Sequence, residues 1–248
     1  MELGCERERI EQMIRSTLWE SGCTGVVVGL SGGVDSAVAA ALCVKALGRE
    51  HVLGLAMPSA LTPPEDLEDV RTFCDTTGIE HRVIPIEPIL EAYFTLPGAE
   101  RTPYLAGNLM ARIRMTTLYY VANQERRLVC GTSNRSEYLL GYSTKHGDSA
   151  ADFQPILHLY KTQVYALARA LGVGGRIIEK PPSAGLWQGQ TDEGEIGLSY
   201  AEIDAALAAL AEHGWAAATP AEEKVLAMVK KTVHKRLAAP NLLGSSRP

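Results

Sequence analysis

The sequence predicts an α/β fold: a doubly wound, mainly parallel sheet flanked by helices. Three observations predict it. Short apolar, β-branched runs alternate with helix-length amphipathic stretches, the order that builds parallel sheets. The first run, "GVVVGL" at 25–30, is continuously apolar and too short for a helix, so it reads as a strand covered on both faces. Polar clusters follow two of the runs directly, Ser31 to Ser36 and Thr132 to Glu137, and such sheets bind ligands at the carboxyl ends of their strands.

The elements follow in order. Residues 8–20 place Ile10, Met13, Ile14, Thr17 and Leu18 on one stripe, an amphipathic helix. After the strand at 25–30, apolar residues at 34, 38, 41 and 42 suit a helix over 34–47 that stops at Gly48. "HVLGLAMP" (51–58) reads as the second strand, and 63–78 as a helix with acidic residues in its first turn. "EHRVIPI" (80–86) is the third strand, 108–125 a helix and "RLVCG" (127–131) the fourth strand. Lys161 opens the helix "KTQVYALARALG", and 199–211 and 219–237 read as closing helices. Two stretches, 141–155 and 174–198, lack a regular pattern, and long loops in compact domains are commonly lids. No repeat or linker divides the chain, so one domain over 1–248 is expected.

Composition narrows the function. The net charge of −5, from 24 basic and 29 acidic residues, argues against a broad nucleic-acid surface. No apolar run approaches the roughly 20 residues that span a bilayer, and the charged N-terminus has no signal-peptide core. Five cysteines at 5, 23, 43, 74 and 130 form neither a CxxC pair nor a cluster with histidine. Reduced, mostly buried thiols and a cytoplasmic location are expected, with no membrane and no nucleic acid as partners.

"SGGVDS" (31–36) is built to hold phosphates, yet it is neither common phosphate loop. Walker A requires a lysine where this turn has Asp35, and the G-x-G-x-x-G spacing is absent. Adjacent glycines can turn their amides inward, and the following helix adds its partial positive charge. A carboxylate among phosphates repels them unless a cation intervenes, so Asp35 implies Mg²⁺. A purely structural turn with a capping Asp or Ser needs neither two glycines nor two serines. The motif resembles the pyrophosphate loop of the adenine-nucleotide α-hydrolase superfamily, whose members cleave ATP between its α and β phosphates and adenylate a substrate.

Four further segments bear on the substrate. "GNLMARIRM" (107–115) puts Asn108 and Arg112 on one helix face, with Arg114 on another; a surface ion pair between Arg112 and Glu100 suits the spacing equally well. "VCGTSNRSEYLLGYSTKHGDSAADFQP" (129–155) packs Thr132, Asn134, Ser136, Glu137, Thr144, Lys145, Asp148 and Asp152 after a buried strand, more charge than capping explains. Lys161 opens a helix against the dipole, which suits either an anionic ligand or plain solvation. His234 and Lys235 fall in a last helical turn, where cations also stabilise the helix by themselves.

Together these segments resemble the NAD synthetase family, in its own motif order: SGGVDS, GNLMARIRM, GTSNRSE, LGYSTKHGD, LYKTQVYALARALG, PSAGLWQGQTDE, GLSY and the terminal HK. The resemblance runs from about residue 10 to 240 and implies a ligase that adenylates deamido-NAD with ATP, then replaces AMP by ammonia to give NAD. It implies Mg²⁺ on Asp35 and Glu137. ATP would be bound by Gly29, Leu30, Ser31, Gly32, Gly33, Val34, Asp35, Ser36, Thr132, Lys161 and Ser183. Deamido-NAD would be held by Arg112, Lys145, Asp152, His234 and Lys235. Asp35, Asp148 and Lys161 would serve the chemistry, with either Asp148 or Asp152 nearest the ammonia. Ser183 stands where some relatives carry Thr, which keeps the hydroxyl. The glycine turn begins only 31 residues into the chain, so no N-terminal glutaminase domain is expected, and ammonia would come free or from a separate glutaminase. A homodimer with the dinucleotide at its interface is also implied. The rival readings are another ligase of the superfamily, similar to a GMP synthetase or a tRNA-modifying enzyme, and a nucleotide sensor without turnover.

Overall fold

The computed structural model describes residues 2–183, 185, 187 and 189–239. Its sheet is parallel, with strands β1 (Gly25–Gly29), β2 (Val52–Ala56), β3 (Glu80–Val83) and β4 (Arg127–Cys130) in the order β3-β2-β1-β4. The register pairs Val26 with Val52 and with Leu128, and Leu53 with Glu80. The helices, in chain order, are α1 (Leu3–Ser21), α2 (Val34–Leu47), α3 (Pro64–Thr77), α4 (Glu87–Phe94), α5 (Pro103–Glu125) and α6 (Arg135–Leu140). They continue with α7 (Lys161–Leu171), α8 (Gly175–Glu179), α9 (Asp192–Ile196), α10 (Tyr200–Glu212) and α11 (Pro220–Lys231).

The continuous apolar runs have the reason anticipated: helices cover both faces. Val26 and Val28 pack into a core with α1, α2, α3 and α7, whereas Val27, Leu53 and Leu55 face the opposite core under α4 and α5. A third cluster joins α6, α9, α10 and α11 beyond β4, through Leu140, Ile203, Leu207 and Val225. From β1 the chain crosses to β2 and β3 on one side and returns to β4 on the other. The strand order therefore reverses between β1 and β4, the crevice where doubly wound sheets bind ligands.

Several boundaries differ from the sequence reading. Helix α4 was not anticipated; "EPILEAYF" is short and buries only Leu90 fully. Helix α5 starts at Pro103 rather than 108, because the Thr102 hydroxyl accepts from Leu105 N and Pro103 suits the first helical position. The expected 219–237 helix ends at Lys231, and a separate 3₁₀ turn, Val233–Lys235, carries His234 and Lys235. The irregular 174–198 stretch contains α8 and α9, while residues 184, 186 and 188 of it lie outside the described residues. The single-domain expectation likewise extends to 240–248, outside them. Among the described residues no helix is long and apolar enough to cross a membrane. All five cysteines are free, and Cys43, Cys74 and Cys130 are buried.

Candidate active site

Leu30 N donates to Leu55 O at 2.8 Å, carrying the pairing of β1 with β2 one residue past the strand before the chain turns. Gly32 then takes φ +79°, and a Cβ there would come within 2.9 Å of the Asp66 carbonyl oxygen, so only glycine fits. The turn closes through hydroxyls: Ser36 Oγ donates to Gly33 O at 2.9 Å, and Gly33 N donates to Ser31 Oγ at 3.2 Å. Behind it, Lys180 Nζ reaches Gly32 O (3.3 Å), Asp66 Oδ1 (2.7 Å) and Asp69 Oδ2 (2.6 Å), tying α3 and the 180s segment to the turn. Amides and a helix N-terminus thus line one wall, which suits phosphate oxygens.

The second wall follows β4. Asn134 caps α6 in a reciprocal box: its Oδ1 accepts from Glu137 N at 3.0 Å while the Glu137 side chain returns to Asn134 N. The same amide donates from Nδ2 to Asp35 Oδ1 at 2.9 Å, so one buried side chain sets both carboxylates. Lys161, the first residue of α7 and 2% exposed, fills the gap between them, with Nζ 2.5 Å from Asp35 Oδ2 and 3.0 Å from Glu137 Oε1. Its ammonium also lies 5.0 Å from the centre of the Tyr200 ring. The dipole penalty of a cation at a helix start is offset by Asp204, which accepts from Thr162 N (2.8 Å) and from the Ser136 hydroxyl; Ser136 Oγ in turn accepts from Lys161 N (2.9 Å).

Titration follows this geometry. Burial pushes the Glu137 carboxyl up to about 7, with the Lys161 charge opposing and Asp35 adding to it. Burial alone would pull Lys161 down, but Asp35 and Glu137 outweigh it and raise it above its ordinary value. Asp148 is exposed to the cavity, and the protein packed around its carboxyl raises it despite the hydrogen bond from Thr144 N (2.6 Å).

The two walls bound a cavity of about 720 Å³, a size that suits a nucleotide. Of the residues the sequence singled out, Gly29, Leu30, Ser31, Gly33, Val34, Asp35, Ser36, Thr132, Glu137, Asp148, Lys161, Ser183 and Lys235 line it, and Gly32 sits behind the turn. Arg112, Lys145, Asp152 and His234 do not. Asp152 accepts from Val129 N at 2.7 Å and covers the outer edge of β4, next to the bridge from Cys130 to Phe153. Arg112 is exposed and donates to Lys145 O at 3.3 Å instead of pairing with Glu100, and Lys145 Nζ donates to His234 O at 2.8 Å. These three form a second, outer group. Lys235 Nζ holds Gly141 O (2.7 Å) and Ser143 O (2.6 Å), and burial pulls its ammonium below the ordinary value.

Sequence reasoning placed Asn134 and Ser136 only in the polar cluster after the fourth strand, where capping accounts for some of the polar residues, and assigned no role to Lys180, Tyr200 or Asp204. Arg114, set aside as facing elsewhere, lines the cavity and donates from Nε to Met57 O at 3.0 Å. The available signal was polar residues inside apolar helix stripes: Asp204 sits among Ile203, Ala206 and Leu207, all buried.

With this geometry established, comparison with known proteins is direct. Residues 6–239 match the NAD synthase family. The NH(3)-dependent NAD(+) synthetase of Methanoregula boonei is 62% identical over 242 residues, covering 98% of each chain. That of Archaeoglobus fulgidus is 49% identical and covers 94% of each. Among solved structures, the NMN synthetase of Francisella tularensis superposes with a TM-score of 0.89 at 37% identity, covering 98% of this chain and 99% of that one. The NH3-dependent NAD synthetase of Campylobacter jejuni gives 0.82 at 35%, with the same coverage. The chain belongs to the NAD synthase family.

Proposed function

We propose that this member of the NAD synthase family converts deamido-NAD to NAD with ATP and ammonia, releasing AMP and pyrophosphate, and that the cavity between β1 and β4 houses the reaction. The observation that carries the reading is the Asp35–Lys161–Glu137 trio beside the glycine turn, in a chain that matches full-length relatives named for this activity. The family match favours it over the GMP synthetase-like and tRNA-modifying alternatives.

A nicotinate carboxylate resists attack because its oxygen leaves poorly. Adenylation by ATP makes that oxygen part of AMP, a good leaving group. The turn amides and the start of α2 hold the departing pyrophosphate, Lys161 opposes its charge, and the Thr132 and Ser183 hydroxyls contact the nucleotide. Asp35 and Glu137 fit Mg²⁺: their oxygens flank one positive charge, and Mg²⁺ commonly takes one or two carboxylates with phosphate and water as its other ligands. When bound, Mg²⁺ would neutralise charge on the phosphate oxygens. Asp148 takes one proton from ammonium to free the nitrogen lone pair. Ammonia then forms the C–N bond as the C–O bond to AMP breaks, and the new nitrogen loses its second proton to the departing AMP or to water. The raised Asp148 carboxyl suits a base that must release the proton again.

Arg112, Lys145 and His234 stand outside the cavity of one protomer, so their contacts to deamido-NAD fit a homodimer in which the dinucleotide runs to the interface. Ile89, Tyr93, Tyr104, Leu105 and Tyr120 expose apolar surface on α4 and α5, which supports that assembly. Light scattering on the purified protein measures it; a monomer at working concentration would remove the dimer. Ammonia would come free or from a separate glutaminase.

A second reading is favoured by the likeness to the NMN synthetase: the same carboxylate chemistry could act on nicotinate mononucleotide. The test is product analysis with ATP, Mg²⁺ and ammonium, offering deamido-NAD, nicotinate mononucleotide or glutamine in place of ammonium. Equimolar NAD, AMP and pyrophosphate, with little turnover of mononucleotide or glutamine, is expected. Preference for the mononucleotide would move the substrate but keep the mechanism. Formation of ADP and phosphate would overturn it.

A further inference from the structure

The trio has a neighbour that this mechanism does not use. Asp192 opens α9, lines the cavity and is 3% exposed. Its Oδ2 accepts from the Tyr200 hydroxyl at 2.9 Å, whereas Oδ1 is buried with no hydrogen-bond partner. The Tyr142 hydroxyl also bears on Asp192, but the hydrogen bond it makes at good geometry is to Glu195 Oε2, at 2.8 Å. A buried carboxylate oxygen without a donor is costly, and proteins seldom keep one without a reason.

The Tyr200 ring that holds Asp192 by its hydroxyl also lies beneath the Lys161 ammonium. Lys161 meanwhile occupies the gap between Asp35 and Glu137 where the proposed cation would sit. An ammonium and a divalent cation cannot share that gap. The Lys161 backbone is pinned by Ser136, but its stem is long and flexible, so Nζ can move without disturbing α7. Three carboxyl groups, of Asp35, Glu137 and Asp192, gather around one ammonium, so a divalent cation between them meets more acceptor oxygens than the ammonium alone can satisfy.

We propose that Asp192 is a positioning residue whose free Oδ1 is a second seat for the Lys161 ammonium, taken when a divalent cation enters between Asp35 and Glu137. The proposal rests on the reading that the cation binds those two carboxylates. The ammonium slides over the Tyr200 face, staying near the phosphates while clearing the cation's place. Cation entry and lysine placement thereby become one event.

The test titrates Mn²⁺ as a paramagnetic probe, with α,β-methylene-ATP present, into the full chain and its variants, reading bound metal by electron paramagnetic resonance. Asp192→Asn keeps the shape and can still accept from Tyr200, and it should weaken Mn²⁺ binding about tenfold, the size of a typical contact coupling. In a Lys161→Met background the same change should have little effect, since no ammonium needs a seat. Equal weakening in both backgrounds would mean that Asp192 acts by its charge alone and would overturn the proposal, as would no weakening in either. Tyr200→Phe keeps the ring and frees Oδ2, so Mn²⁺ should bind more tightly; weaker binding would also overturn it. If Asp35→Asn and Glu137→Gln leave Mn²⁺ affinity unchanged, the cation reading itself fails, whatever Asp192 shows.

Discussion

The two walls of the cavity are built on opposite plans. The β1 wall is a contiguous run, Ser31–Ser36, closed by its own hydroxyls and amides and carrying a single charge. The β4 wall draws Asn134, Ser136, Glu137, Lys161, Tyr200 and Asp204 from three helices and their caps, and its charges are paired and buried. The first is closed mainly by hydrogen bonds among its own residues, with Lys180 behind it. The second exists only when α6, α7 and α10 pack, so its chemistry depends on the fold itself.

The sharpest way to break that contrast is Lys161→Met. Methionine roughly replaces the stem but leaves Asp35 and Glu137 facing each other without a cation. Removing one partner of a buried ion pair costs about 3–5 kcal/mol, and losing a charge aimed at the reacting phosphates costs about 10²–10³ in turnover. Urea unfolding and NAD formation should therefore fall together. Loss of turnover with unchanged stability would show that the β4 wall is not part of the fold's own support.

Gly32→Ala probes the other wall and should cost less. Its φ of +79° and the 2.9 Å approach to the Asp66 carbonyl impose strain of about 1–3 kcal/mol. Because the trio is untouched, KM for ATP should rise more than kcat falls. A kcat loss as deep as that of Lys161→Met would mean that the walls are not separable.

Glu137 gives a pH signature that the amides and hydroxyls of the glycine turn cannot. Its ordinary value of 4.5 rises to about 7 in the folded protein. The folded chain keeps a proton that the unfolded chain has released, so this group's contribution is full below about 4.5 and is lost as pH rises through 7. The melting temperature of wild type minus that of Glu137→Gln should fall across this window by on the order of 10 °C, from about 1.4 kcal/mol per pH unit and about 2–4 °C per kcal/mol for a chain of this size. A constant difference would place the Glu137 proton elsewhere.

The same contrast explains what could be read beforehand. Strands β1, β2 and β4 were legible because continuous apolar runs have few alternatives, and the glycine turn because its residues are adjacent. Asp35 was named from its place in the glycine turn, and Glu137 and Lys161 were given their roles through motif order, but nothing in their spacing shows one ammonium lying between two carboxylates. Asp204 was marked only by its place in an apolar stripe, and the partners of Asp204 and Tyr200 were illegible because each acts across the packing of α10 on α7, a contact that leaves no period in the sequence. Arg114 was misjudged from helical spacing alone: α5 turns both it and Asn108 toward the cavity, while Arg112 points outward.

Arg112 supplies the smallest effect and the cleanest separation of the outer group from both walls. It is exposed, and its described hydrogen bond, to Lys145 O at 3.3 Å, is long. Arg112→Ala should therefore shift stability by no more than about 0.5 kcal/mol, the usual range for surface changes. If the outer group of Arg112, Lys145 and His234 holds the dinucleotide, KM for deamido-NAD should rise while KM for ATP stays constant, because the ATP cavity does not include it. A rise in both would join the outer group to the cavity. A rise in neither would take Arg112 out of substrate binding and leave Lys235, which reaches the cavity from the same 3₁₀ turn as His234, as the link between the two.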